Sequence, residues 1–345
     1  MQNIWRNRLI NLLLLLGTLI ILLLVLEWLL RFSGIERLQS RRPHLHQSST
    51  IPGVNYEFVP NLRNVRGYNW ERISTNSLGF RGPEYDPTKP SIAILGDSFA
   101  FGFGLNDNQT NAEPLREAFP GYNVLNLGVN GYNVEQEVRA YLAKFSDLKP
   151  TLVIMEFVFN DFGSPSILTN EAKPEVYEQQ GYLEKGAIAD ENLRKAITQS
   201  GTLAIPGKFW LQTHSAIFNF VEHRTKWLPF RQHATDHLIE TVTDTDLAFY
   251  DTWLSKLTEN VPDAKKVLMI WPENGGLHLE SRRKLHEMAE VQGFAVLDLY
   301  DIFGMSYPTL SWDWHPNASA QKRAGEILAE FIKHEKLLPE ATTAE

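Results

Sequence analysis

The sequence predicts an α/β protein: a parallel sheet covered by helices on both faces, preceded by one membrane-spanning helix. Three observations carry this. Five short apolar runs recur between residues 92 and 298, helical patterns lie between them, and a long uncharged stretch stands near the N-terminus. Apolar runs separated by crossover helices give strands buried on both faces, because a helix packs over each side of the sheet.

Residues 9–26 are eighteen positions without a charge, mostly Leu and Ile. At about 1.5 Å per residue they span about 27 Å, close to the hydrocarbon thickness of a bilayer. Glu27 and Arg31 follow, four apart on one helical face, where they can pair near the interface. A cleavable signal peptide has a shorter apolar region of about 7–15 residues and a small-residue cleavage site. No such site follows Leu30. The expectation is a short tail over 1–8 and an uncleaved single-pass anchor over 9–30, in contact with the lipid bilayer. Charge leaves its orientation open, since Arg6 and Arg8 before the helix are matched by Arg31, Arg37, Arg41 and Arg42 after it.

Residues 31–75 carry scattered Arg, Pro and His without periodicity and read as a stalk, leaving the folded domain over 76–345. Strands are expected at 92–95, 124–127, 152–158, 267–271 and 294–298, each closed by a turn or loop residue. Helical patterns cover 134–145, 246–257, 281–291 and 318–332. The stretch 162–245 exceeds a simple crossover and reads as an insertion, with helical hints at 192–198 and 214–223. A net charge of −8 argues against nucleic-acid binding, which needs clustered Lys and Arg. The absence of cysteine excludes disulfides, thiolate metal sites and a cysteine nucleophile.

Polar residues gather where the runs end, the place where open parallel sheets bind ligands. Gly96-Asp97-Ser98 closes the first run, and a serine at a strand-to-helix turn presents its hydroxyl and its N–H at the sheet edge. Glycine at 96, 102 and 104 permits the tight turn. Ala100 stands where a G-x-S-x-G elbow needs glycine, so this is a different nucleophile turn. Asn126-Leu127-Gly128-Val129-Asn130-Gly131 closes the second run, with the Gly128 N–H unshielded by a side chain; Asn130-Gly131 alone reads as a turn. Asn160-Asp161 closes the third and offers an amide donor. Asp313-Trp314-His315-Pro316-Asn317 precedes the last helix. A serine hydroxyl needs an imidazole to take its proton, and that imidazole needs a carboxylate on its other nitrogen. His233 and His237 are spaced like metal ligands, but Ala234 replaces the glutamate of H-E-x-x-H, so no metal is expected there. Trp271, Trp312 and Trp314 lie near these residues, with core or rim packing the common fate of such side chains.

Gly96-Asp97-Ser98, Gly128, Asn160 and Asp313 with His315 resemble, in order, the four blocks of the SGNH (GDSL-type) hydrolase superfamily. The resemblance covers about residues 76–332. It implies a three-layer α/β/α sandwich with a flavodoxin-like sheet, and Ser98 as nucleophile. It implies His315 as general base, Asp313 as its orienting partner, and the Ser98 N–H, Gly128 N–H and Asn160 side chain as oxyanion donors. No cofactor is required. Val158 occupies the usual glycine place of the third block and is expected to tighten the approach to the oxyanion pocket. The fourth block departs too, with Asp313 two residues before the histidine rather than three. The expected activity is a serine esterase acting on an acylated, for example O-acetylated, envelope glycan. An O-acyltransferase with the same triad and a non-catalytic glycan-binding scaffold are the alternatives. The resemblance places the domain outside the inner membrane of a bacterium.

Overall fold

The computed structural model describes residues 2–33, 45–54, 56–67, 71–162, 211, 215–225, 242–272, 279–304, 307–310 and 314–339. A first helix α1 (Gln2–Phe32) is followed by two small antiparallel hairpins, β1 (His46–Ser48) with β2 (Tyr56–Phe58) and β3 (Val65–Arg66) with β4 (Arg72–Ile73). The main sheet takes β5 (Ser91–Leu95), β6 (Asn123–Asn126), β7 (Leu152–Phe157), β8 (Lys265–Ile270) and β9 (Ala295–Asp298). Its five strands are all parallel, in the order β6-β5-β7-β8-β9. That is the flavodoxin-like order, with a switch point where the chain leaves β5 for β6 on one side and β7 on the other.

The crossover helices follow from the strand pattern. Between β5 and β6 lie α2 (Ser98–Phe101) and α3 (Ala112–Ala118), and α4 (Val134–Lys144) returns the chain to β7. Beyond β7 come α5 (Ala216–Thr225) and α6 (Asp244–Asn260), then α7 (Leu279–Val291), α8 (Tyr300–Phe303) and α9 (Ala318–His334). Successive strand residues face opposite layers. Ala93, Leu95, Val153 and Met155 pack with Val138 of α4, Leu254 of α6 and Leu285 of α7. Ile92, Ile94, Leu152 and Ile154 pack with Leu115 of α3 and Ala324 and Leu328 of α9. Capping boxes start two helices, Asn133 with Gln136 at α4 and Thr243 with Asp246 at α6. The expected strands and helices all appear, within a few residues at their ends. The hint at 192–198 lies outside the described residues, as do His233 and His237.

Residues 45–75 are not a free stalk. Leu45, Val54, Tyr56, Phe58 and Ile73 are buried, and Phe58 stacks on Phe101 of α2 with ring centroids 4.6 Å apart. These hairpin strands are only two or three residues long, too short to show a period in the sequence, so their burial comes from contacts with distant segments.

Within α1, Trp5–Phe32 is long and apolar enough to cross a membrane or to serve as a signal sequence, with a mean hydropathy of 3.0 in its most apolar window. Arg31 Nε donates to Glu27 Oε1 at 2.6 Å, the expected pairing. Glu27 also accepts from Ser215 Oγ (3.0 Å), the Ala216 N–H (2.8 Å) and the Ile217 N–H (2.9 Å). It thereby satisfies the orphan donors that open α5.

Candidate active site

At the end of β5 the backbone bends through Gly96 at φ 156°, where a Cβ would meet Glu156 Cβ at 3.1 Å and Ala100 Cβ at 2.8 Å. No larger residue fits this crossing. Asp97 caps α2 by accepting the Phe99 N–H at 2.8 Å, and Gly102 closes that short helix in the left-handed region at φ 80°. Ser98 thus stands as the first residue of α2, 7% exposed at the carboxyl edge of the sheet.

His315 reaches it from 217 residues away, its Nε2 2.7 Å from Ser98 Oγ. The segment that delivers the imidazole is held on both sides. Leu310 N–H donates to the His315 carbonyl (2.9 Å), Asn317 N–H to the Pro308 carbonyl (2.9 Å), and Asn317 Oδ1 caps α9 through the Ser319 and Ala320 N–H groups. Phe103 and Trp314 lie against the imidazole, each with ring centroids 4.4 Å away at tilts of 35° and 31°. Ser98 Oγ has one proton and two candidate acceptors, His315 Nε2 at 2.7 Å and Asp97 Oδ2 at 3.2 Å. The shorter contact favours the imidazole, which is the pairing that activates a hydroxyl. Burial pushes the Asp97 carboxyl up, while the Phe99 N–H, the His315 charge and the Asn160 and Ser98 side chains pull it down.

Asp313 and Trp312 lie outside the described residues, so the carboxylate arm of the expected triad is not part of this geometry. Trp314 is 46% exposed beside His315, whereas Trp271 is fully buried and donates its indole N–H to Glu156. Val158 does not tighten the approach: it is fully buried in the core facing α3 and α9, and its backbone N–H donates to Asp161 Oδ2 at 3.0 Å.

The donors require a correction. Gly128 N–H, expected to face the site, donates instead to Asn126 Oδ1 at 3.1 Å. Its Cα is pressed against α2, where a Cβ would come within 2.7 Å of Ala100 Cβ, so this glycine serves close packing. The loop continues to the nucleophile turn, Val129 N–H donating to the Gly96 carbonyl at 3.1 Å. Gly131 follows at φ 74°, half-buried, and among the described residues no acceptor takes its N–H. Asn130 beside it is 3% exposed, with both atoms of its side-chain amide unpartnered among the described residues. Asn160 Nδ2 is 3.3 Å from the Tyr132 carbonyl, a long bond that a stronger acceptor can displace. Asn130 and Gly131 read in sequence as a plain turn; the signal was an Asn-Gly pair after a strand end that already had a glycine.

A model of the GDSL-like lipase/acylhydrolase family matches residues 94–323, from the end of β5 into α9. The chain belongs to that family. It is an SGNH-type serine hydrolase, and its sheet order is the one this fold uses. Among solved structures it is similar to TesA, at 15% identity and TM-score 0.42, over 72% of this chain and 99% of that one. It is also similar to a putative lipolytic protein of the G-D-S-L family from Desulfitobacterium hafniense DCB-2 (15%, TM-score 0.39, 70% and 99%). A third likeness is to a carbohydrate esterase family 2 enzyme with a carbohydrate-binding domain from Corynascus thermopiles (15%, TM-score 0.41, 74% and 69%). A comparison with curated proteins found no match. Among the described residues, no group of three or more His, Asp or Glu side chains is placed to hold a metal.

Proposed function

We propose that this GDSL-family hydrolase is a membrane-anchored esterase with Ser98 as nucleophile, His315 as general base and Asp313 as the carboxylate that orients it. The observation that carries the reading is the 2.7 Å approach of His315 Nε2 to Ser98 Oγ. Ser98 Oγ attacks the acyl carbonyl as its proton passes to His315 Nε2. The imidazolium then gives that proton to the leaving alkoxide oxygen, and a water deacylates the enzyme by the same relay. The tetrahedral oxyanion is met by the Ser98 N–H and the Asn160 amide, with the Gly131 N–H in the place first given to Gly128. Each such donor contributes about 10²–10³-fold to turnover.

The substrate proposed is an O-acetylated envelope glycan or a similar acyl ester. The exposed indole of Trp314 beside His315 supports it, since a sugar ring can stack on such a face. The anchor α1 would hold the domain, residues 45–339, outside the inner membrane of a bacterium. A fluorophosphonate applied to the full-length chain should label Ser98, and Ser98→Ala should abolish both labelling and release of acetate from acetylated xylan. An unlabelled Ser98 in a folded protein would overturn the proposal.

A further inference from the structure

Tyr56 lies in β2, outside the segment 94–323 that the family model matches, yet its side chain ends at the loop after β6. It is 1% exposed, and its hydroxyl donates to the Asn130 carbonyl at 2.5 Å. The peptide unit that carries that carbonyl also carries the Gly131 N–H. A peptide is planar and trans, so whatever holds the carbonyl also fixes the direction of the N–H on its opposite side. A hydrogen bond to the carbonyl further polarises the amide and makes the N–H a stronger donor. Tyr56 is itself held in place. The Tyr132 hydroxyl donates to the Tyr56 carbonyl, the two rings lie 5.4 Å apart, and His46 meets Tyr56 edge-on at 5.2 Å. The side chain of Asn130 makes no bond among the described residues and so gives the loop no such restraint.

We infer that Tyr56 is a positioning residue for the oxyanion hole: its hydroxyl sets the Asn130–Gly131 peptide so that the Gly131 N–H faces the charge developing on the acyl carbonyl. This rests on the reading of Gly131 as an oxyanion donor. The hairpin between the anchor and the sheet is therefore part of the catalytic scaffold, although it contributes no group that touches substrate.

The test is Tyr56→Phe in the full-length protein, which removes one oxygen and keeps the ring. With 4-nitrophenyl acetate, kcat should fall about tenfold while KM changes less than about twofold, because a misdirected donor weakens the transition state more than the ground state. The affinity for a phenylboronic acid, which forms a tetrahedral adduct on serine, should fall by the same factor as kcat. A purely structural role predicts a lower melting temperature with kcat and boronate affinity intact, and that result overturns the inference. So does a fall in kcat with boronate affinity unchanged. Should Tyr56→Phe fail to fold, Tyr132→Phe is measured in its place; it loosens the Tyr56 backbone and should give the same paired losses, smaller in size, and unchanged values again overturn the inference. Fluorophosphonate labelling of the wild type separates the two levels. A labelled wild type with an unaltered Tyr56→Phe removes only the role of Tyr56, whereas an unlabelled wild type removes the serine reading beneath it.

Discussion

Glu156 is a carboxylic acid placed inside the apolar sheet. It is fully buried in β7, directly behind the Gly96 crossing, with Asn111 Nδ2 at 2.7 Å from one oxygen and Trp271 Nε1 at 2.9 Å from the other. Burial is the main cause that pushes its carboxyl up from 4.5 to about 8; the two hydrogen bonds oppose this, and the Asp97 charge adds to it. The folded state therefore holds a proton that the unfolded chain loses between pH 4.5 and about 8. Wherever the native state binds more protons, stability falls as pH rises. The contribution is complete below pH 4.5 and is lost as pH climbs through about 8. Glu156→Gln is neutral throughout, and Asn111 can turn its unpartnered Oδ1 toward the new amide. The expected outcome is a melting temperature that varies less between about pH 5 and 8 than in the wild type, as this linkage requires. An identical slope in both proteins would remove Glu156 as its source.

Between elements, the contact of α3 with α9 connects the nucleophile side of the fold to the histidine side. Gln321 of α9 accepts the Asn111 N–H at 2.9 Å and donates to the Phe99 carbonyl at 2.7 Å, so the helix that follows His315 is bonded to the helix that carries Ser98. Gly325 makes the close approach possible. A Cβ there would meet Pro114 Cγ at 3.0 Å, and the Asn111 carbonyl oxygen closer still. Gly325→Ala gains about 1 kcal/mol of helix propensity. Overpacking against a backbone oxygen costs about 1–3 kcal/mol and is expected to win. Thermal unfolding should show a lowered midpoint; an unchanged or raised one would mean that α9 shifts freely. The strands and helices around this contact were legible because period and caps are local properties: Asn317 before an amphipathic run announces α9 by itself. The hairpins were not, since Tyr56-Glu57-Phe58 carries too few residues for any period and acquires meaning only against Phe101 and Tyr132.

Across the whole molecule, α1 is bonded to a segment 188–190 residues further along the chain. Chain continuity leads from α1 toward the hairpins, and Glu27 bonds to the start of α5 in the region that follows β7. The proposed placement outside the inner membrane has a direct check: alkaline phosphatase fused after residue 345 should be active in a bacterial host, and the chain should stay in the membrane fraction after carbonate washing. Activity from a cytoplasmic reporter at the same position would reverse the orientation, and release by carbonate would remove the anchor.

By itself the sequence determined the five strands of the main sheet and the helices around them, that a helix with a long uncharged run precedes them, and that Ser98 and Asn160 stand at strand ends and His315 just before the last helix, where chemistry is possible. These follow from local periodicity, from turn residues and from the order of four short blocks. The tertiary structure decided that β5 lies between β6 and β7, that Val158 faces the core, that Gly128 gives its N–H to Asn126, and that Tyr56 reaches the Asn130 carbonyl. Where the N–H of a peptide points depends on what folding brings to its carbonyl, and residues 74 apart meet there only when they pack.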